Sequence, residues 1–413
     1  MRLGGFEIHS IASASARPSS WPETISGQSH LMMPDYLTRR LREGFARGGL
    51  GLALLVASYF GLISGAFARN HSLYLDVNGT LLAVGDNDNG QLGDGTQTDR
   101  NQTVQVSVGN VIAAAVGGDH TLLIKTDGSL WAGGDNAYGQ LGDGNTTDRN
   151  SSFVKIVDAN VTAVAAGKYH SLFLKRDGSL WSMGQNDYGQ LGTVDGFQKL
   201  SPTLVFSSGV ASISAGAYHS LFVKSDGSLW GMGRNDAGQL GNGFTQNMDT
   251  PQQILFSGVE ATAAGEGHSL ILKTDGSLWS TGLNANGQLG LGDDANRTLP
   301  VKFVDENVTT IAAGGHHSLY LDANGSLWGV GLNTYGQLGL GDNSYRNTPV
   351  VIAEANVTMI TAGEGHSLFL DNNGSLWAMG LNSDGQLGFG DTTNRNVPAK
   401  AQAGGVYRLP GSP

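Results

Sequence analysis

Short runs in which apolar and polar positions alternate recur along most of the chain and end in glycine-rich turns. Val161–Ala166 is a run of small residues, and residues 171–175 and 179–183 are two further candidate strands. Asp177-Gly178 lies between the last two, and this dipeptide is a strong hairpin signal. A longer connection leads to a fourth candidate strand near Phe206. The pattern predicts a unit of four short antiparallel strands.

The unit occurs seven times, at spacings of 49 or 50 residues, when the chain is aligned on one histidine. Gly-Gln-Leu-Gly begins 19 residues after each histidine, and a tryptophan lies 11 residues after it except in the first unit, which has Leu82. Seven such units over residues 69–413 predict an all-β fold, a seven-bladed β-propeller of four-stranded blades. Blades one to seven are centred on His71, His120, His170, His219, His268, His317 and His366. The tryptophans are Trp131, Trp181, Trp230, Trp279, Trp328 and Trp377.

The first blade lacks an innermost strand of its own if the mature chain starts at Arg69. Val406 lies 49 residues after Val357, so residues 405–409 are in register to supply that strand. Alternatively, residues 61–67 supply it and are not cleaved. The two interpretations exclude each other.

The segment before the repeats is predicted to be a targeting segment and not part of a blade. Residues 1–33 are rich in Ser, Ala and Pro and are expected to be disordered or an over-long start. Residues 34–68 combine a basic stretch with 21 uncharged residues that end in Ala-Phe-Ala, which is the pattern of a signal peptide. An uncleaved anchor helix is the alternative, because 21 residues just span a bilayer. We therefore expect a bacterial protein that is secreted, at the cell surface or in the periplasm.

The charge and the cysteine content of the chain exclude some classes of partner and of site chemistry. The net charge is −11 and no basic stripe is present, which argues against nucleic acid as a partner. The chain of 413 residues has no cysteine, which excludes disulfides, thiolate metal sites and a cysteine nucleophile.

The long motif A-G-x-x-H-S-L-x-L-K-x-D-G-S-L-W-x-x-G-x-N-x-x-G-Q-L-G-x-G resembles the regulator of chromosome condensation repeat over about residues 69–398. The resemblance implies a seven-bladed propeller. The founding eukaryotic member is a nucleotide exchange factor for a small GTPase and depends on a protruding wedge. Here the repeats differ by a single residue in length, which leaves no room for a wedge. Exchange activity therefore ranks last. Many exported bacterial members of the wider family are binding proteins, which the resemblance implies for this chain as well.

The repeated histidines are expected to be structural. Zinc needs ligands that converge on one point, which equivalent residues on different blades do not do. Each imidazole is instead expected to bind backbone in its own turn, and the tryptophans to pack between blades. Residues 86–90 with Asp94 resemble the start of a calcium loop, but no bidentate Glu follows. No metal, cofactor or catalytic set is predicted, and the protein is not expected to be an enzyme.

Departures from the repeat indicate where binding would occur. Strand alternation puts the loops between strands one and two, and between strands three and four, at the same end. These loops vary, whereas the hairpins at the other end are nearly uniform. Tyrosines with a few charges are typical of interfaces. The alternative is that they only cover the small-residue strands at the mouth. The candidate binding residues are Tyr138, Tyr169, Tyr188, Tyr218, Lys168, Asp187 and Arg234.

The leading hypothesis is a monomeric binding module whose partner is a protein or a glycan. The alternative is a propeller enzyme that acts on an extracellular polysaccharide or lactone through residues of the variable loops.

Overall fold

The computed structural model describes residues 64–65, 70–76, 78–402 and 404–409. These residues form seven sheets, each built from four antiparallel strands as predicted, and one sheet carries a fifth, parallel strand; no helix occurs among the described residues. The predicted all-β, seven-bladed propeller is confirmed. The predicted disordered start and signal peptide lie outside the described residues, apart from Ser64 and Gly65. The described part of the chain contains no helix that would be long and apolar enough to cross a membrane.

Each blade runs from an innermost strand at the central channel to an outermost strand at the rim. The innermost strands of blades two to seven are Val111–Val116, Val161–Ala166, Val210–Ala215, Val259–Ala264, Val308–Ala313 and Val357–Ala362. The second strands are His71–Asp76, His120–Lys125, His170–Lys175, His219–Lys224, His268–Lys273, His317–Asp322 and His366–Asp371. The third strands are Leu81–Gly85, Leu130–Gly134, Leu180–Gly184, Leu229–Gly233, Leu278–Gly282, Leu327–Gly331 and Leu376–Gly380. The outermost strands are Arg100–Gln105, Arg149–Val157, Lys199–Phe206, Met248–Leu255, Arg297–Val304, Arg346–Ala353 and Arg395–Gln402.

Apolar side chains from neighbouring blades form the cores. Leu122 and Ile124 of blade two pack in one cluster with Val164 and Phe173 of blade three, and all four are buried. Burial of side chains of this size contributes about 1.5–3 kcal/mol each, so every interface between blades helps to hold the ring together.

The repeated tryptophans are half-buried. Trp181 stacks on Phe173 at a centroid distance of 6.1 Å and an interplanar angle of 5°, while the Nζ of Lys175 lies 4.3 Å from its ring centroid. Its Nε1 donates to the Oγ of Ser179 at 2.9 Å, and that hydroxyl donates to Asp177 in the hairpin turn at 2.6 Å. The tryptophan therefore packs at the edge of the inter-blade core and also braces the hairpin.

The C-terminal segment closes the ring. Val406–Arg408 pairs antiparallel with His71–Asp76 and supplies the innermost strand of blade one, which is the first of the two interpretations. Ser64–Gly65 pairs instead in parallel with the innermost strand of blade four, opposite Ile213 and Ser214. The other interpretation, an innermost strand of blade one from residues 61–67, is therefore wrong for the two residues of it that are described.

Candidate binding face

A ring of hydrogen bonds between blades fixes the loops at the variable end. His170 is fully buried, and its Nε2 lies 2.9 Å from the Oγ of Ser220 in the next blade. The Ser220 hydroxyl donates to the carbonyl of Gln190 at 2.8 Å, so the Nε2 of His170 must carry the proton that joins it to Ser220. The bond from His366 to Ser72 at 3.1 Å joins blade seven to blade one.

The expected backbone partner for these histidines is wrong. The imidazole of each repeat reaches the hydroxyl that follows the histidine of the next repeat, rather than backbone of its own turn. The Nε2 to hydroxyl pairs at 2.9–3.2 Å are His71–Thr121, His120–Ser171, His219–Ser269, His268–Ser318 and His317–Ser367. With the two bonds already given, one such link crosses every interface between blades.

Burial strongly disfavours the charged imidazole. It lowers the pKa of His120 and His170 to about 3 and that of His366 to about 4. In blades two to seven a glycine three residues before the histidine makes room for the ring, since a Cβ on Gly167 would overlap the Cε1 of His170. Neutral imidazoles locked in this way serve the frame of the propeller.

The residues just before each histidine are tied to the next blade at the channel mouth. The backbone N–H of Lys168 donates to the carbonyl of Ala217 at 3.2 Å, and that of Ala217 donates to Gly265 at 3.2 Å. The N–H of Glu266 donates to Gly315 at 3.3 Å in the same way. Side chains at these positions are consequently held at fixed places around the mouth.

The structure brings the four predicted tyrosines together across three blades. Tyr138 lies 5.1 Å from Tyr169 between ring centroids, Tyr169 lies 6.4 Å from Tyr218, and Tyr218 lies 5.2 Å from Tyr188. Tyr138 and Tyr188 come from loops between strands three and four, whereas the other two come from loops between strands one and two. The two kinds of loop therefore meet at one end, as strand alternation predicts. All four rings are half-buried and keep part of their surface accessible.

Two cations lie against this tyrosine cluster. The Nζ of Lys168 is 5.6 Å from the Tyr169 centroid and 5.7 Å from that of Tyr218. The Cζ of Arg234 is 5.7 Å from the Tyr188 centroid and 5.8 Å from that of Tyr218. Each such contact contributes about 0.5–1 kcal/mol where the site is exposed to water. The cations thus hold the rings in place before any partner arrives.

Lys168 is charged at neutral pH. Burial works against its charged form, but the hydroxyls of Tyr218 and Tyr169 and the carboxylate of Glu364 outweigh it and raise its pKa. Arg234 is paired with Asp236 at 2.6 Å. Asp187 is exposed and accepts a hydrogen bond from the Nε2 of Gln185 at 2.6 Å, so it lies beside the cluster rather than within it.

An ionic group that was not predicted lies on blades five to seven of the same mouth. The Oε2 of Glu266 lies 3.2 Å from the Nε2 of His316. This hydrogen bond lowers the pKa of Glu266 and raises that of His316, and Glu364 raises the latter further. Glu266 also feels the charges of Lys168 and Arg234. The signal was present, because Glu266, His316 and Glu364 occupy the same variable positions as Lys168 and Tyr218.

The acidic loop of blade one differs from its calcium-like pattern. Asp94 is bound by Asn87 at 3.0 Å and by the guanidinium of Arg100, so it does not join the aspartates of residues 86–90. Asp99 joins Asp86 and Asp88 instead, with one carboxylate oxygen from each within 4.8 Å of the others. Burial and these neighbouring charges raise the pKa of Asp86. Three carboxylates, two of them exposed, do not by themselves define a metal site.

A fixed inter-blade frame with one uniform end and one variable, tyrosine-rich end defines a seven-bladed propeller of the repeat class. The chain belongs to the family of the RCC1-like domain, whose family model matches residues 61–306. Models of the regulator of chromosome condensation (RCC1) repeat match residues 324–370 and 373–406, and, in a second form, residues 308–337 and 357–386. No curated protein sequence matches the chain.

Solved structures share the fold. The chain is 22% identical to Prp20p from Saccharomyces cerevisiae, with a TM-score of 0.70, over 84% of this chain and 88% of that one. A structure of Kap60 bound to the same yeast protein matches at 23% identity and a TM-score of 0.71, over 84% and 86%. Human WBSCR16 is 23% identical, with a TM-score of 0.69, over 81% and 94%. At these identities the likeness concerns the fold alone.

Proposed function

We propose that the protein is a non-catalytic propeller scaffold that binds a protein partner through the variable end of blades two to four. The observation that carries the proposal is the cluster of Tyr138, Tyr169, Tyr188 and Tyr218 with Lys168 and Arg234 against it. Rigid, half-exposed tyrosines next to arginine are typical of the residues that dominate binding energy in interfaces. Pre-positioned rings also lose little conformational entropy on binding.

Covering the innermost strands does not explain the tyrosines. Blade five has Gly267 at the position of Tyr218, yet Ala263 and Ala264 of its innermost strand are buried as fully as the equivalent residues of blade four. The mouth therefore closes over these strands without an aromatic ring. The cluster is better explained as a contact surface.

Comparison with relatives favours a protein over a glycan as the partner. The yeast protein has been solved bound to Kap60, and its binding to Gsp1p and histones has been described. Those partners belong to that protein. In this chain the repeats differ by a single residue in length, so nucleotide exchange stays the least favoured activity.

Export from a bacterial cell is part of the proposal and rests on the sequence of residues 34–68. N-terminal sequencing of the protein recovered outside the cytoplasm tests it. A start at Arg69 supports a cleaved signal peptide, whereas a start upstream of residue 48 supports the anchor helix.

Replacement of two tyrosines tests the binding face. In a pull-down from cell-surface fractions, the double variant Tyr169→Ala, Tyr188→Ala is compared with the parent and with Tyr345→Ala. Tyr345 is an exposed tyrosine of blade six outside the cluster, and it serves as the matched control. We expect the double variant to lose the captured partner, since removal of one hot-spot tyrosine costs about 2 kcal/mol, or roughly 30-fold in affinity.

Retention of the partner by the double variant would show that this face is not the site. Release of a chemically modified product in place of saturable capture would support the enzyme alternative.

A further inference from the structure

The innermost strands leave an open hydrogen-bonding edge along the central channel. In six of the seven sheets the innermost strand is the last strand of its sheet. Backbone groups at such an edge need water or another strand as a partner, and extended peptides bind proteins by adding a strand there. The channel is thus lined with potential strand-docking positions.

Blade four is the exception, because a fifth strand lies on its inner edge. Ser64 and Gly65 pair in parallel with Ile213 and Ser214, and they also contact the innermost strands of blades three and five. These contacts with three successive blades put the two residues in the channel. The added strand is part of the chain itself.

The side of the channel around blade four is lined by small residues. The third and fifth positions of its innermost strand, Ser212 and Ser214, are buried, as are the equivalent alanines of blades three and five. In blade seven, which the added strand does not pair with, Met359 and Thr361 occupy these positions and are partly exposed. The small side chains of this wall let the backbone of an added strand approach closely.

A buried serine hydroxyl without a partner lies on this same strand of blade four. The Oγ of Ser212 is buried and has no hydrogen-bond partner among the described residues, whereas the Oγ of Ser214 accepts from the N–H of Ala264 at 2.9 Å. An unsatisfied hydroxyl costs about 1–3 kcal/mol unless a ligand or water supplies a partner. It lies one residue before the Ile213 that pairs with Ser64.

We infer that the channel edge of Val210–Ala215 is a docking site for an extended peptide strand of small residues, filled in the uncleaved chain by its own residues Ser64 and Gly65. Because the pairing is parallel, the docked strand runs in the same direction as Val210–Ala215, toward the end that carries Tyr218. Cleavage after residue 68, as predicted, removes the occupant and frees the edge. This site is distinct from the tyrosine surface of the proposed function.

Hydrogen exchange on the full chain tests the site. In the variant Ser64→Pro, Gly65→Pro both N–H groups are lost and the ladder cannot form. We expect amides of Val210–Ala215 to exchange on the order of tenfold faster, because local opening there becomes easier. The control Ser64→Ala, Gly65→Ala keeps both N–H groups and should exchange like the parent. Val308–Ala313 of blade six serves as the internal reference and should not change in any variant.

A synthetic peptide of residues 61–68 provides the second arm. Added to the proline variant, it should restore slow exchange in Val210–Ala215, whereas the same peptide with both prolines should not. Unchanged exchange of Val210–Ala215 in the proline variant, or equal protection of several blades by the peptide, would overturn the inference. Because the readout is exchange within the channel, failure here is separate from failure of partner capture at the tyrosines.

Discussion

Acidification should unfold this protein sharply, because seven buried histidines resist protonation. Burial lowers the pKa of five of them, His71, His120, His170, His219 and His317, to about 3. It lowers the pKa of His366 to about 4 and that of His268 well below its usual value. In the unfolded chain each returns to about 6.5, so below that pH the unfolded state binds more protons than the folded state. Stability is therefore constant above about pH 7 and falls as the pH drops.

The size of the fall follows from the number of groups. Each depressed histidine removes about 1.4 kcal/mol per pH unit once the pH is below 6.5. At one unit below 6.5 each has cost about 1.4 kcal/mol, so seven together cost about 10 kcal/mol. That is comparable with the whole free energy of unfolding of a typical domain. His316 acts in the opposite direction, because Glu266 raises its pKa, but it is one group against seven.

Urea unfolding followed by tryptophan fluorescence at pH values from about 8 to 4.5 measures this dependence. We expect a plateau above about pH 7 and loss of the folded state between about pH 5.5 and 4.5. The variant His268→Gln keeps a donor toward Ser318 and should reduce the slope of stability against pH by about one seventh. A change of less than about 2 kcal/mol between pH 7.5 and 5.5 would refute the argument that the folded state excludes charged imidazoles.

Two further changes test the frame. Ser220→Ala leaves the Nε2 of His170 without its acceptor, so the free energy of unfolding, measured by heat or urea, should fall by about 1–3 kcal/mol. The exposed control Ser225→Ala should lower it by less than about 0.5 kcal/mol. Equal effects of the two changes would show that the bond does not stabilise the ring. Deletion of residues 404–413 removes the innermost strand of blade one, including buried Val406. It should lower the free energy of unfolding by at least about 3 kcal/mol and accelerate hydrogen exchange in blade one before the other blades. Uniform exchange across the blades would contradict closure at this position.

The repeat made most of the fold predictable. A period set by one histidine, with Asp-Gly turns and a glycine at each end of the Gly-Gln-Leu-Gly tetrapeptide, specifies strands, turns and register locally. Closure by residues 405–409 was also predictable, because Val406 keeps the phase of the innermost strands. The sequence alone did not decide between residues 405–409 and residues 61–67 as the innermost strand of blade one. The pairing of Val406–Arg408 with blade one, and of Ser64 with Ile213 in blade four, decides for the former.

Contacts between blades were less predictable, because they join positions about 50 residues apart. The partner of His170 is Ser220, which a local view of the turn cannot reveal. The ionic group at the mouth was missed for the same reason. Glu266 and His316 belong to different repeats, and only the ring geometry brings their side chains to 3.2 Å. The tyrosine cluster was predictable because four tyrosines lie in the variable loops of otherwise uniform repeats.

Site-specific photo-crosslinking tests the central claim, that the variable end of blades two to four binds a protein. A benzoyl-phenylalanine is placed at Tyr188 within the cluster and, separately, at Tyr345 outside it, and each protein is illuminated with its cell-surface fraction. We expect one discrete crosslinked protein from Tyr188, its loss when Tyr169→Ala is added, and none from Tyr345. The same crosslinked protein from both positions, or none from Tyr188 while the partner is still captured, would contradict it.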